Sequence, residues 1–219
     1  MKTHTLSGTV RAALAGGALC LLSLSACATL DSPSVERMSL VRKSRLLLDS
    51  GRLSASEKLT ERIIARFGPS PFLLNQMALI RDRGGEPEKA LRILIYAHRL
   101  YPRSTDLTLN LADMELARHN PGQARETLRP LLDQKTWPEG FRSLMGRIDL
   151  ETGNLAEAHL FLHEALSRHP DNPLLLANMG LLHSRMGLRK KAREDFLRAV
   201  SRTGNTRLRS RLLTLLGDD

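Results

Sequence analysis

Small and bulky apolar positions recur along this chain with a period of 34 residues. Four similar clusters, GGEPEKA, HNPGQA, GNLAEA and GLRKKA, end at Ala90, Ala124, Ala158 and Ala192, which are 34 apart three times over. Taking Pro71 as a first position divides the chain into units at 71–104, 105–138, 139–172 and 173–206, and extending backward adds one at 37–70. Position eight is then Ser44, Ala78, Ala112, Gly146 and Gly180, and position twenty is Ser56, Ala90, Ala124, Ala158 and Ala192, all small. Position twenty-four is Thr60, Leu94, Leu128, Leu162 and Phe196, and position seven is Lys43, Met77, Leu111, Met145 and Met179. The pattern predicts two helices per unit that approach closely where side chains are small, with the bulkier residue one turn later filling the space beside the contact. Gly51, Gly85, Gly153 and Gly187 stand at position fifteen, where the first helix must stop, and Pro102 and Pro170 at position thirty-two, in the turn to the next unit. Residues 206–216 (TRLRSRLLTLL) interleave Leu208, Leu212, Leu213, Leu215 and Leu216 with Arg207, Arg209 and Arg211, an amphipathic helix suited to cap a stack of repeats.

A 34-residue unit that is small at eight and twenty, bulky at twenty-four and proline-bearing near thirty-two resembles the tetratricopeptide repeat (TPR). The resemblance runs over 37–206 and implies an all-α, right-handed α-solenoid of about five helix hairpins, followed by a capping helix and tail at 207–219. The family's aromatics at positions four and eleven are absent; those places hold Leu74 and Arg81, Thr108 and Glu115, Arg142 and Asp149, and Leu176 and His183. The first unit, with Lys43 and Thr60 where apolar residues belong, reads either as a repeat or as an irregular cap. In the family the first helices line a concave groove through positions 2, 5, 9, 12 and 13. The resemblance therefore implies a partner-binding groove that includes Asn75, Asp82, Arg83, Asp113, Arg147, Ser184 and Arg185. Both charges are present, so the set does not repeat the Lys/Asn clamp that some members use for a C-terminal carboxylate. Asn110 and Asn178, at position six, belong to the repeat's own pattern.

Composition agrees with a helical body. Hydrophobic residues make up 42% and aromatics only 4%, so the apolar content is mostly Leu, Ala, Ile and Met, which favour helix. The two cysteines, Cys20 and Cys27, lie in the N-terminal apolar run, which leaves the repeats without a disulfide framework or thiol chemistry.

That run changes the picture of where the repeats act. Lys2 and Arg11 precede an uncharged stretch at 12–26, as in a secretory signal, and 15 residues are short of the roughly 20 needed to span a bilayer. Leu24, Ser25, Ala26 and Cys27 resemble the bacterial lipobox, which implies cleavage after residue 26 and lipidation of Cys27; an ordinary cleaved signal and an uncleaved segment are the alternatives. Cys20 does not fit, because Leu19 precedes it. Ala28 after the cysteine resembles the outer-membrane sorting pattern. Residues 27–36 then form a lipidated tether, and multiple acyl chains including palmitate would hold the protein durably at the membrane. Cleavage removes two basic residues and no acid, taking the net charge from +10 to +8.

Candidate chemistry is sparse. HEALSRH (163–169) places His163 and His169 six apart rather than four, and Pro170 ends the helix, so it is not a zinc motif. His159 and His163 share a face without a carboxylate or cysteine to complete a metal site. Asp82 and Asp113 read as surface charge rather than as an acid–base pair, and no phosphate loop follows a strand. No catalysis, cofactor or metal is expected. Arg185 to Arg211 carries ten Lys or Arg against Glu194 and Asp195, which reads as a solvated face or as a contact for anionic lipid or an acidic partner; secretion argues against nucleic acid. Together these features point to a lipid-anchored scaffold on the periplasmic face of the outer membrane that binds an envelope protein. The architecture resembles that of lipoproteins of Flp/Tad and type IV pilus systems, which implies secretin or pilus-assembly partners; an adaptor organising cell-wall or outer-membrane assembly factors is the alternative.

Overall fold

The structure is a computed structural model and describes residues 33–217. Among the described residues there are eleven α-helices and no strand: α1 Pro33–Asp49, α2 Leu53–Phe67, α3 Pro71–Arg83, α4 Pro87–Leu100, α5 Thr105–Ala117, α6 Pro121–Leu132, α7 Phe141–Thr152, α8 Leu155–Arg168, α9 Pro173–Arg185, α10 Arg189–Arg202 and α11 Thr206–Gly217. The second helix of each hairpin starts at Leu53, Pro87, Pro121, Leu155 or Arg189, a constant step of 34. Cys27 and residues 1–32 lie outside the described part.

Two compact units divide the chain, the first ending at Gln76 and the second starting at Met77, within α3. In the first, α1 packs on α2 through hydroxyls rather than through an alanine contact. Ser44 lies 2.7 Å from the Thr60 hydroxyl and 3.3 Å from that of Ser56, and Gln76 donates to Ser44 at 2.6 Å and to Thr60 at 3.1 Å. All four residues are buried, as are Leu48, Ile63 and Leu73 beside them. Positions eight, twenty and twenty-four thus meet here as polar groups, and the first hairpin keeps the geometry of the others with different chemistry.

In the second unit, α5 packs on α6, α7 on α8 and α9 on α10, each hairpin also touches the next, and α11 packs on α10. Among the described residues, apolar clusters follow one another from α5 to α11. The first centres on Leu116, Leu128, Phe141 and Ile148, the next on Leu162, Met179 and Leu182, and the last on Leu176, Phe196 and Leu212. The small-to-bulky contact is direct. A Cβ added to Gly146 would sit 2.6 Å from Leu162 Cγ, and one added to Gly180 would sit 2.4 Å from Phe196 Cε1.

The first helices stop as position fifteen requires. Gly51, Gly85, Gly153 and Gly187 have φ between 74° and 83°, and the residue after each donates to the carbonyl five back, as Asn154 does to Asp149 at 2.8 Å. His119 holds the same place in the 105–138 unit at φ 60°, with Asn120 donating to Glu115 at 3.0 Å. A side chain in this left-handed region costs about 1–2 kcal/mol, partly offset by glycine's extra backbone entropy. His119→Gly should therefore raise stability by about 0.5–1 kcal/mol in urea melts; a lower midpoint would contradict this account of the turn.

Two boundaries depart from the 34-residue frame. Helix α1 begins at Pro33, so 33–36 of the expected tether are helical; proline fits a first turn because no N–H is needed there. Helix α7 begins at Phe141 rather than 139, after Pro138 and after Gly140 at φ 86°.

Candidate partner-binding surface

The first helices of the hairpins carry the residues expected to face a partner. In the first unit Asn75 is half-buried on α3. In the second unit Asp82 and Arg83 are exposed at the end of α3, Asp113 is exposed on α5, Arg147 is half-buried on α7, and Ser184 and Arg185 are exposed at the end of α9. Three of these residues join successive first helices: Arg147 on α7 pairs with Asp113 on α5, and Arg185 on α9 donates to the Leu150 carbonyl of α7. Both arginines are thus engaged within the chain, linking α5 to α7 and α7 to α9.

A groove stands in the first unit, where sequence reasoning named only Asn75. It encloses about 870 Å³ between α1 and the start of α3, over Met38, Val41, Leu46, Phe67 and Phe72, with Arg37, Arg42 and Arg45 at its edges. Met38, Leu46 and Phe72 are exposed. Arg45 pairs with Asp49 at 3.2 Å, whereas Arg37 and Arg42 have no partner among the described residues. Met38, Val41 and Arg45 are positions 2, 5 and 9 of the 37–70 unit, and Phe72 is position 2 of the next. The same position rule would have found them; attention to polar side chains passed over an apolar groove.

The second unexpected feature lies at position eleven, where the family's aromatic is replaced by a charged residue or histidine. Thr127 donates to buried Glu115 at 2.7 Å, His183 Nδ1 lies 2.7 Å from Asp195 Oδ2, and Arg125 pairs with the almost fully buried Asp149. Burial pushes the Glu115 carboxyl above the usual carboxylate range, against the lowering effect of the Thr127 hydroxyl. Arg81, at the same position, pairs with Glu86 at 2.8 Å. Three of these bonds tie the two helices or the turn of one hairpin, and Arg125–Asp149 joins one hairpin to the next, where ring packing would otherwise do so.

The histidine-containing segments are built into the scaffold. Glu164 lies 2.6 Å from Arg142 and 3.7 Å from Arg168, His169 lies 3.6 Å from Glu139, and His159 stacks on His163 with ring centroids 5.7 Å apart. Among the described residues no group of three or more His, Cys, Asp or Glu is placed to hold a metal ion.

Solved structures decide the fold. PilW, described as a widely conserved type IV pilus biogenesis factor, superposes with a TM-score of 0.68 at 14% identity over 84% of this chain and 93% of its own. This is the tetratricopeptide-repeat fold. PilF of Pseudomonas aeruginosa gives a TM-score of 0.65 at 17% identity over 83% of this chain and 85% of its own. YrrB, described as a TPR protein with an unusual peptide-binding site, gives 0.56 at 14% identity over 86% and 97%. No protein-family model matches the sequence, and no curated protein matches it significantly. The hairpins, their 34-residue step and the small-to-bulky contacts are those of an all-α TPR solenoid, with polar groups substituted at position eleven.

Proposed function

We propose that this protein is a lipid-anchored TPR adaptor that holds another envelope protein in its groove, at the periplasmic face of the outer membrane, during assembly of a pilus or secretion system. The groove of the first unit carries the binding part of this reading. Met38 and Phe72, exposed together at the family's inward-facing positions, make an apolar surface suited to a partner. The fold likeness to PilW and PilF supports the pilus part, and the lipobox at Cys27 supports the anchor. Secretin subunits or other pilus-assembly proteins are the partners it names, and it contains no catalytic step.

A photocrosslinker placed beside the groove at Leu46 in the native envelope should capture such a partner. Met38→Asp with Phe72→Asp should cut that capture at least about tenfold, since buried apolar anchors commonly contribute 2 kcal/mol or more each, while the melting temperature stays near wild type because both side chains are exposed. Undiminished capture would refute the groove. Capture of cell-wall enzymes or outer-membrane assembly factors instead would move the protein to envelope maintenance.

A further inference from the structure

The chain's basic surplus is concentrated at its C-terminal end. In the 139–172 unit three basic residues stand against six acids, namely Glu139, Asp149, Glu151, Glu157, Glu164 and Asp171. From Arg185 to Arg211 ten basic residues stand against two acids, and no acid occurs between Phe196 and Gly217. Of those two acids, Asp195 is buried against His183, which leaves Glu194 as the exposed one.

Four of the ten cations are engaged within the chain. Arg185 donates to the Leu150 carbonyl, Arg198 lies 3.8 Å from Asp195, Arg202 lies 3.1 Å from Asp171, and Arg209 donates to the Thr203 carbonyl at 2.8 Å. Arg189, Lys190, Lys191, Arg193, Arg207 and Arg211 are exposed and make no side-chain bond among the described residues. Arg189, Lys190, Arg193 and Leu197 fall on one face of α10 at helical spacing, and Arg207 and Arg211 lie one turn apart on α11. Exposed Leu197 lies on the α10 face itself, and exposed Met186 and Leu188 stand just before its first turn. Leu212 is buried between α11 and the last core cluster, so the helix is held by its other face.

We infer that this face of α10 and α11 docks on an anionic phospholipid surface, as a second membrane contact besides Cys27. The five unneutralised cations of these faces, Arg189, Lys190, Arg193, Arg207 and Arg211, match the phosphates of an anionic leaflet, and the exposed Leu and Met side chains suit the interfacial zone beneath them. Single-stranded nucleic acid would call for aromatic platforms, and the one aromatic of residues 186–217, Phe196, is buried. The inference rests on the membrane-anchored reading for access to a bilayer, and it adds that the adaptor is held close to the surface instead of ranging freely on its tether.

Vesicle flotation of the full chain carrying Cys27→Ser tests it without the anchor, and the N-terminal apolar run is common to every arm. Binding to phosphatidylcholine vesicles containing about 30% phosphatidylglycerol should exceed binding to pure phosphatidylcholine by about tenfold at low salt and collapse as salt rises. Lys190→Glu, Arg193→Glu, Arg207→Glu and Arg211→Glu together should abolish the preference at an unchanged melting temperature; the milder pair Lys190→Ala with Arg207→Ala should reduce it. Equal binding to both vesicles, a preference retained by the reversed chain, or binding to soluble poly-L-glutamate without binding to vesicles would overturn the inference, the last in favour of an acidic protein. Palmitate labelling of the chain with Cys27 intact reports on the anchor separately, so either idea can fail alone.

Discussion

A chain carrying Ala158→Trp should lose at least about 3 kcal/mol of stability, the upper end of what overpacking costs, and its urea transition should broaden. Ala158 is fully buried at position twenty, within the cluster that holds Leu150, Leu162, Met179 and Leu182. An indole there must displace the Leu162 side chain, which already leaves no room for a Cβ on Gly146. In a repeat array each hairpin's stability depends on its neighbours, so the damage should spread to α9 and α10 beyond the local contact. Leu160→Trp is the control: two residues away and 69% exposed, it should shift the midpoint by no more than about 0.5 kcal/mol. Matching melts for both variants would disprove the 34-residue register.

That register was legible because its contacts are local. Positions eight and twenty-four are 16 residues apart, as Gly180 and Phe196 are, and the choice between small and bulky is visible in the residue types themselves. The turn at His119 was illegible for the opposite reason: the other four units carry glycine there, and the strain of a histidine at φ 60° shows only in the backbone. The first hairpin's polar core was half legible. Ser44, Ser56 and Thr60 stood out at their positions, but nothing announced that Gln76 of the 71–104 repeat would donate to Ser44 and Thr60.

Of the groove residues named from the sequence, the structure joins Asp113 to Arg147 and ties Arg185 to α7. These are contacts between hairpins, where the 34-residue repeat places like positions side by side, so an acid at position nine of one unit meets an arginine at the same position of the next. The apolar groove around Met38 and Phe72 followed from the same numbering. It was missed because an exposed methionine or phenylalanine in a helical repeat reads as core until burial is known.

Arg125→Ala should cost more than Asp149→Asn, although the two residues form one ion pair. Asp149 is 1% exposed, its Oδ2 has no hydrogen-bond partner among the described residues, and its other oxygen receives Arg125 and, at 3.4 Å, the Asn154 amide. Removing the guanidinium strands a buried carboxylate, a loss of 3–5 kcal/mol when the site is sealed. The Arg125 side chain is 36% exposed, so water can enter behind it, and the expected cost falls to about 2–3 kcal/mol. Asp149→Asn keeps the shape, removes the buried charge and leaves an arginine that reaches solvent, so it should cost about 1 kcal/mol. The double variant should then be more stable than Arg125→Ala alone, because the charge that needed the arginine is gone. Urea midpoints of the three chains decide the matter. If the double variant is the least stable, Asp149 is held by its surroundings and not by Arg125, and position eleven is not where the hairpins are locked.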